Sequence, residues 1–269
     1  MFSELLSNLI SDTTGPGFEF FRAELWLSGT IVLMLLLRVC SLDRVLPTFL
    51  VALIGAAIAG WCSLSQFSET LNPESVSLHG QFSVTFFGDM LRHDLFSVFF
   101  RVFLSLFLLL TIALTVLTGI PDGEDAPDFY SLLFGATIGM MIMATANNLL
   151  MLFLGVEMAS VPSYAMVGFL KGRKPSSEAA LKYVVYGAGT AGVMLYGISL
   201  IGGVLGTGDL TLLADRLRMV AEGGSAGLGD PEVRVVAAGR DAGHGWPGLQ
   251  AVAGAVSLLV SGRFRRSLR

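Results

Sequence analysis

Charged and metal-ligating side chains are scarce in this chain of 269 residues. Only 14% of the residues are charged, against about 25% in an average soluble domain, and the net charge is −4. Such a chain has no basic field with which to hold nucleic acid. Cys40 and Cys62 show no pairing pattern and the three histidines are scattered, so we expect neither a disulfide framework nor a metal or haem site.

Apolar residues are abundant instead. The hydrophobic share is 53%, above the roughly 45–50% of soluble domains. The first fifteen residues contain Glu4 and Asp12 but no Lys or Arg, so we expect no cleaved signal peptide, which would need a basic start. The composition predicts an all-α, polytopic bundle of transmembrane helices.

The apolar runs predict about six spans, since a membrane-crossing helix needs about 20 mostly apolar residues. In chain order they are Leu25–Val39, Leu46–Leu64, Phe96–Leu117, Tyr130–Ala146, Leu149–Phe169 and Glu178–Leu205. Arg22, Glu24 and Arg38 break the first run. The polar pair Asn147-Asn148 separates the fourth and fifth runs, which indicates a tight helical hairpin.

Basic residues orient these spans, because Lys and Arg are enriched in short cytoplasmic loops. They cluster after the first span and after the fifth, at Arg38, Arg44, Lys171, Arg173 and Lys174. Both loops are therefore predicted to face the cytoplasm, and the segment Ser65–Asp94 to lie outside. The acidic segment 122–128 falls inside by alternation, against the trend, but acidic residues contribute little to the rule.

Two ionisable residues inside apolar runs are candidates for proton transfer. Glu157 lies about 20 Å from the cytoplasmic end of the fifth span and Lys182 about 9 Å from the cytoplasmic start of the sixth, at 1.5 Å per residue. A charge in the bilayer core costs at least about 2.5–3.5 kcal/mol and usually marks a functional site. A carboxylate and an amine at adjustable distance can exchange charged and neutral forms, as a proton relay requires.

Other interpretations stay open for these residues. Glu157 could instead satisfy a backbone or hydroxyl group near Pro162, and Lys182 could extend its long side chain to the cytoplasmic surface. Arg101, near the start of the third span, is interpreted as such a surface anchor. His93 and Asp94 form an interfacial pair of unknown role. We expect close helix approach at a set of small residues, namely Gly135, Gly139 and Gly187-Ala-Gly189.

Two stretches of the sequence resemble a known family. The hairpin Phe129–Met158 and the motif Ser177–Tyr183 are similar to subunit N of the bacterial proton-pumping NADH:quinone oxidoreductase, respiratory complex I, along a match from about Asp94 to Gly208. The resemblance implies a bundle of about fourteen helices, of which this chain would hold six. It also implies that Glu157 and Lys182 belong to a chain of buried groups along the proton path.

The resemblance further implies partners and cofactors. The other membrane subunits of complex I and the lipid bilayer would be the partners, in a bacterial inner membrane. NADH, flavin, iron–sulfur clusters and quinone would be handled by other subunits, since this sequence has neither a dinucleotide-binding glycine motif after a strand nor a cysteine cluster. No cofactor and no metal are expected on this chain. The alternatives are a subunit of a multi-component sodium/proton antiporter and a non-functional remnant.

The sequence changes character after Pro231. We expect residues 1–229 to form the helical bundle and residues 230–269, rich in Arg, Gly and Ala, to form a tail with no selected fold. Back-translation of 249–268, read one base later, is compatible with FKLSPVPFHFWCPDVFEGA, a pattern typical of subunit N at this place. The hypothesis is that the reading frame changes near Pro231; the alternative is a divergent natural tail.

Overall fold

In the computed structural model, the described residues are 16–40, 47–71, 83–119, 125–169 and 174–222. They form α1 (Pro16–Phe20), α2 (Arg22–Val39), α3 (Thr48–Leu71), β1 (Ser83–Phe86), β2 (Leu91–Asp94), α4 (Leu95–Thr118), α5 (Ala126–Thr145), α6 (Leu149–Val167), α7 (Lys174–Leu205) and α8 (Leu210–Glu222). The predicted all-α bundle is confirmed. The tail after residue 222 lies outside the described residues, as does the basic stretch 170–173.

Among the described residues, five helices, α3 to α7, are long and apolar enough to cross a membrane. The prediction was about six spans. The remaining long helix, α2, has three charged residues among its eighteen, namely Arg22, Glu24 and Arg38. Apolar side chains face outwards on the others; on α4, for example, Leu106 is 65% and Leu117 82% exposed. Such surfaces fit lipid rather than water.

The core lies among α2, α3, α4 and α5. Its fully or almost fully buried side chains include Leu27, Ala56, Leu108, Phe134 and Met141. The last two spans contribute little to this core: α6 buries only Leu149 and Gly155, and α7 only Gly187, Met194 and Leu205. Much of α6 and α7 therefore presents its surface outwards in this part of the protein.

A small β-hairpin precedes α4 in the segment predicted to lie outside. Strands β1 and β2 are antiparallel, with Ser83 opposite Asp94 and Phe86 opposite Leu91. Asp94 then begins α4 as its N-cap, since its side chain accepts a hydrogen bond from the Ser97 amide at 2.8 Å and its own amide donates to the Ser97 hydroxyl at 3.0 Å. This reciprocal cap gives Asp94 the role that the sequence left open.

Candidate functional site

The helical hairpin of α5 and α6 positions Glu157. Asn148 caps α6, because its side-chain oxygen accepts a hydrogen bond from the Leu150 amide at 2.9 Å. One residue beyond Glu157 the two helices nearly touch. A β-carbon added to Gly139 would lie 2.5 Å from the Ala159 nitrogen and 2.7 Å from the Met158 carbonyl carbon. The expected close approach of α5 and α6 at Gly139 is thus confirmed. It determines which part of α5 lies beside Glu157.

The Glu157 side chain is half-buried, and no other side chain in the described ranges forms an ion pair with it. The polar groups near Pro162 have nearer partners. The Ser160 hydroxyl donates to the Val156 carbonyl at 2.7 Å, and the Ser163 hydroxyl donates to the Ser160 carbonyl at 2.6 Å. Both serine hydroxyls thus donate to backbone carbonyls of their own helix.

Lys182 lies on α7 and pairs with its own helix. Its ammonium donates to the Glu178 carboxylate at 2.5 Å, one helical turn back, and both side chains are 66% exposed. The structure therefore does not bring Lys182 and Glu157 together directly. Such an i,i+4 pair is readable from sequence, and we did not anticipate it.

Aromatic and hydroxyl groups lie between these two helices. The rings of Tyr164 and Tyr183 meet edge to face at 4.6 Å. The Ser163 hydroxyl reaches the Tyr183 hydroxyl at 3.5 Å. Gly187 allows the contact, because an added β-carbon would collide with the Tyr164 hydroxyl. Polar groups thus connect the turn after Glu157 to the residue beside Lys182.

A second charged cluster joins α2, α4 and the β-hairpin. The Arg101 Nε atom donates to Glu24 Oε1 at 2.7 Å, and both side chains have 0% exposure. Arg101 Nη1 lies 3.3 Å from His93 Nδ1. The prediction that Arg101 is a surface anchor is wrong, because Glu24 and the hairpin cover it on the side where it would have reached water.

His93 must be neutral in this cluster. Its burial and the positive charge of Arg101 lower its pKa from 6.5 to about 3. Since a guanidinium only donates hydrogen bonds, Nδ1 of His93 is assigned as the acceptor and the ring proton to Nε2. His93 also stacks on Phe20, with ring centroids 4.3 Å apart. The imidazole thus links α1 to the buried ion pair.

A third polar junction lies where the ends of α5 and α7 meet the hairpin. The Asn147 side-chain amide donates to the Asp89 carbonyl at 2.9 Å and to an Asp209 carboxylate oxygen at 3.3 Å. The Asn147 amide nitrogen donates to the Met90 carbonyl, and its carbonyl accepts from the Leu210 amide, both at 2.9 Å. The predicted Asn147-Asn148 turn is therefore confirmed, and it also ties three segments together.

The carboxylate of Asp209 is kept charged at this junction. Burial alone would raise its pKa, but hydrogen bonds from the Thr211 hydroxyl and from the Leu212 and Thr211 amides, with the charge of Arg92, bring the pKa below its ordinary value. A charged Asp209 in turn strengthens the hydrogen bond from Asn147.

Residues 146–229, which include the α6 cap, Glu157 and Lys182, match the family model described as NADH:quinone oxidoreductase/Mrp antiporter, TM. NADH-quinone oxidoreductase subunit N 2 of Chloroherpeton thalassium is 34% identical over 208 residues, covering 75% of this chain and 38% of the relative. The chain is thus similar to subunit N over three quarters of its length and to the antiporter-like membrane subunits over residues 146–229.

Further similarities are to another subunit N and to two solved membrane complexes. Subunit N of an Anaeromyxobacter species is 33% identical over 222 residues, covering 80% of this chain and 39% of that protein. Respiratory complex I from Thermus thermophilus contains a chain with a TM-score of 0.55 and 24% identity, covering 90% of this chain and 52% of the other. An archaeal membrane-bound sulfane sulfur reductase gives a TM-score of 0.61 at 17% identity, covering 82% and 42%. These structural likenesses concern the fold.

The present chain spans less than half the length of these curated relatives. It is a multi-pass membrane protein, as its helices and its family indicate. The family match ends at residue 229.

Proposed function

We propose that this chain is a non-redox membrane subunit of a bacterial NADH:quinone oxidoreductase and takes part in proton translocation across the inner membrane. The observation that carries the proposal is Glu157, a half-buried carboxylate within an apolar span, held at a backbone-to-backbone helix crossing inside the family-matched segment. Electron transfer from NADH to quinone, with its flavin and iron–sulfur clusters, is assigned to partner subunits of the complex.

In this proposal Glu157 and Lys182 exchange protons through groups between them. A carboxylate and an ammonium stabilise each other's charged forms only when they are close or joined by polar groups. The hydroxyls of Ser163 on α6 and Tyr183 on α7, 3.5 Å apart, would supply such groups. The Glu178 carboxylate, bonded to Lys182, would be the first group on the cytoplasmic side. Proton transfer then requires only small changes in distance or hydration.

Replacement of Glu157 by Gln tests this role. Gln keeps the shape and hydrogen-bonding atoms but cannot carry a proton, so we expect NADH-driven proton translocation to fall by roughly tenfold or more. The measurement is dye quenching in inverted vesicles that contain the frame-corrected subunit within its assembled complex. Glu19→Gln, the same change at an exposed residue of α1, is the matched control. Unchanged translocation in an assembled Glu157→Gln complex would contradict the proposal.

A subunit of a multi-component sodium/proton antiporter is the second candidate, because the matching family description names both kinds of protein. Neighbouring genes for other oxidoreductase subunits favour the first function, and neighbouring antiporter genes favour the second.

We also propose that residues 230–269 are read out of frame. The frame-shifted back-translation supports this idea. We expect sequencing of the gene and its messenger RNA to show a one-base change near codon 231 relative to the frame of the bundle. An unbroken reading through codons 225–269 in both would reject it and leave a divergent natural tail.

A further inference from the structure

The ion pair between Glu24 and Arg101 is incomplete. A carboxylate and a guanidinium usually meet through two parallel hydrogen bonds. Here only Arg101 Nε and Glu24 Oε1 bond to each other. Arg101 Nη2 and Glu24 Oε2, each one covalent angle away from a bonded atom, are buried without a hydrogen-bond partner among the described residues. One donor and one acceptor are thus left open beside a fully buried pair.

A third buried polar atom without a partner among the described residues belongs to Gln66. Gln66 on α3 is 3% exposed, and its amide donates to the Glu19 and Phe20 carbonyls at 2.8 and 3.4 Å. Its own oxygen, Oε1, is buried with no partner in the described part of the chain. Phe20 stacks on His93, which lies against Arg101. One helical turn away the Ser63 and Ser105 hydroxyls lie 3.5 Å apart, so the packing of α3 on α4 brings Gln66 to the level of Arg101.

We propose that Glu24, Arg101 and Gln66 form an internal water site that completes this ion pair and holds the β-hairpin on the bundle. Buried water typically makes about three hydrogen bonds to polar groups that are otherwise unsatisfied. Water donates to the two oxygens and accepts from Arg101 Nη2, so it matches this set of atoms. An anion would be repelled by Glu24, and a metal cation by Arg101. The site contains neither Glu157 nor Lys182 and stands apart from the proposed proton path.

The consequence is structural coupling at the outer end of the bundle. Arg101 binds helix α2 through Glu24 and the hairpin through His93. Bound water satisfies the remaining polar atoms, so the charged pair persists without bulk solvent. Removing these unpartnered polar atoms would therefore release the bound water. Excluding bulk solvent from the cluster would leave it in place.

X-ray radiolytic footprinting of the full chain in lipid nanodiscs tests the water site, because hydroxyl radicals formed on bound water modify adjacent side chains. His93, 2% exposed, should be modified at least about tenfold faster than Phe134, which has 0% exposure and lies in the apolar core. Modification of His93 as slow as that of Phe134 would show a dry cluster and overturn the proposal.

Two variants separate bound water from bulk penetration. Glu24→Met with Arg101→Met removes two of the open atoms, and Gln66→Met removes only the third while leaving the ion pair intact. We expect His93 modification to fall to the rate of Phe134 in the first and severalfold in the second. Undiminished modification in Gln66→Met, with its helical circular dichroism retained, would mean that bulk water reaches His93 and would also overturn the proposal.

Discussion

Replacing Arg101 by Met should lower the free energy of unfolding by about 3–5 kcal/mol, because it leaves the Glu24 carboxylate buried without its partner. Replacing Glu24 by Met as well should restore most of that loss, since two apolar side chains of similar volume often pack as stably as a buried ion pair. The measurement is denaturant-induced unfolding of the chain in lipid nanodiscs, followed by helical circular dichroism.

An exposed ion pair provides the control. Arg38 at the end of α2 pairs with Asp128 on α5, and their side chains are 37% and 38% exposed. Arg38→Met should cost only about 0–1 kcal/mol, because solvent screens such pairs. Equal losses of unfolding free energy for Arg38→Met and Arg101→Met would show that burial does not determine how much the Arg101–Glu24 pair contributes to stability. A double variant as unstable as Arg101→Met alone would show that Glu24 is not the group left uncompensated.

Much of this fold follows from hydrophobic runs and local polar residues. Five of the six predicted spans correspond closely to α3, α4, α5, α6 and α7. The Asn147-Asn148 turn was recognisable because two amides interrupt an apolar pattern. Boundaries differed where charged or polar residues continue a helix; α3, for example, runs to Leu71 instead of ending at Leu64. Helix length there depends on contacts such as that of Gln66 with the Glu19 carbonyl, which no local pattern reveals.

Whether a charged residue could be interpreted from the sequence depended on how far away in the chain its partner lies. Glu157 was predicted to be a site residue because a carboxylate in an apolar run is costly wherever it points, and that role stays a prediction. Arg101 was misinterpreted because its partner Glu24 is 77 positions away and the β-hairpin that covers it consists of two four-residue strands. One indication was available: opposite charges occur near the outer ends of two spans that run in the same direction. Depth alone, however, does not say which helix faces pack.

Gly139→Ala is expected to disrupt the crossing of α5 and α6. The new β-carbon would lie 2.5 Å from the Ala159 nitrogen, closer than such atoms approach in proteins, and backbone cannot move aside as a flexible side chain can. Overpacking of this kind costs about 1–3 kcal/mol. The strain falls on the turn that follows Glu157, so proton translocation should decrease in parallel with stability, measured by unfolding in nanodiscs and by dye quenching in vesicles.

Gly135 is the matched control, one turn earlier on the same face of α5. A β-carbon there would meet only the Pro162 Cγ atom at 3.6 Å, an ordinary contact. Since Ala favours a helix over Gly by about 1 kcal/mol, Gly135→Ala should be neutral or stabilising and should leave translocation unchanged. If the two variants behaved alike, close backbone contact would not be what holds Glu157 in place, and its position would have to depend on the partners of α6 and α7 instead.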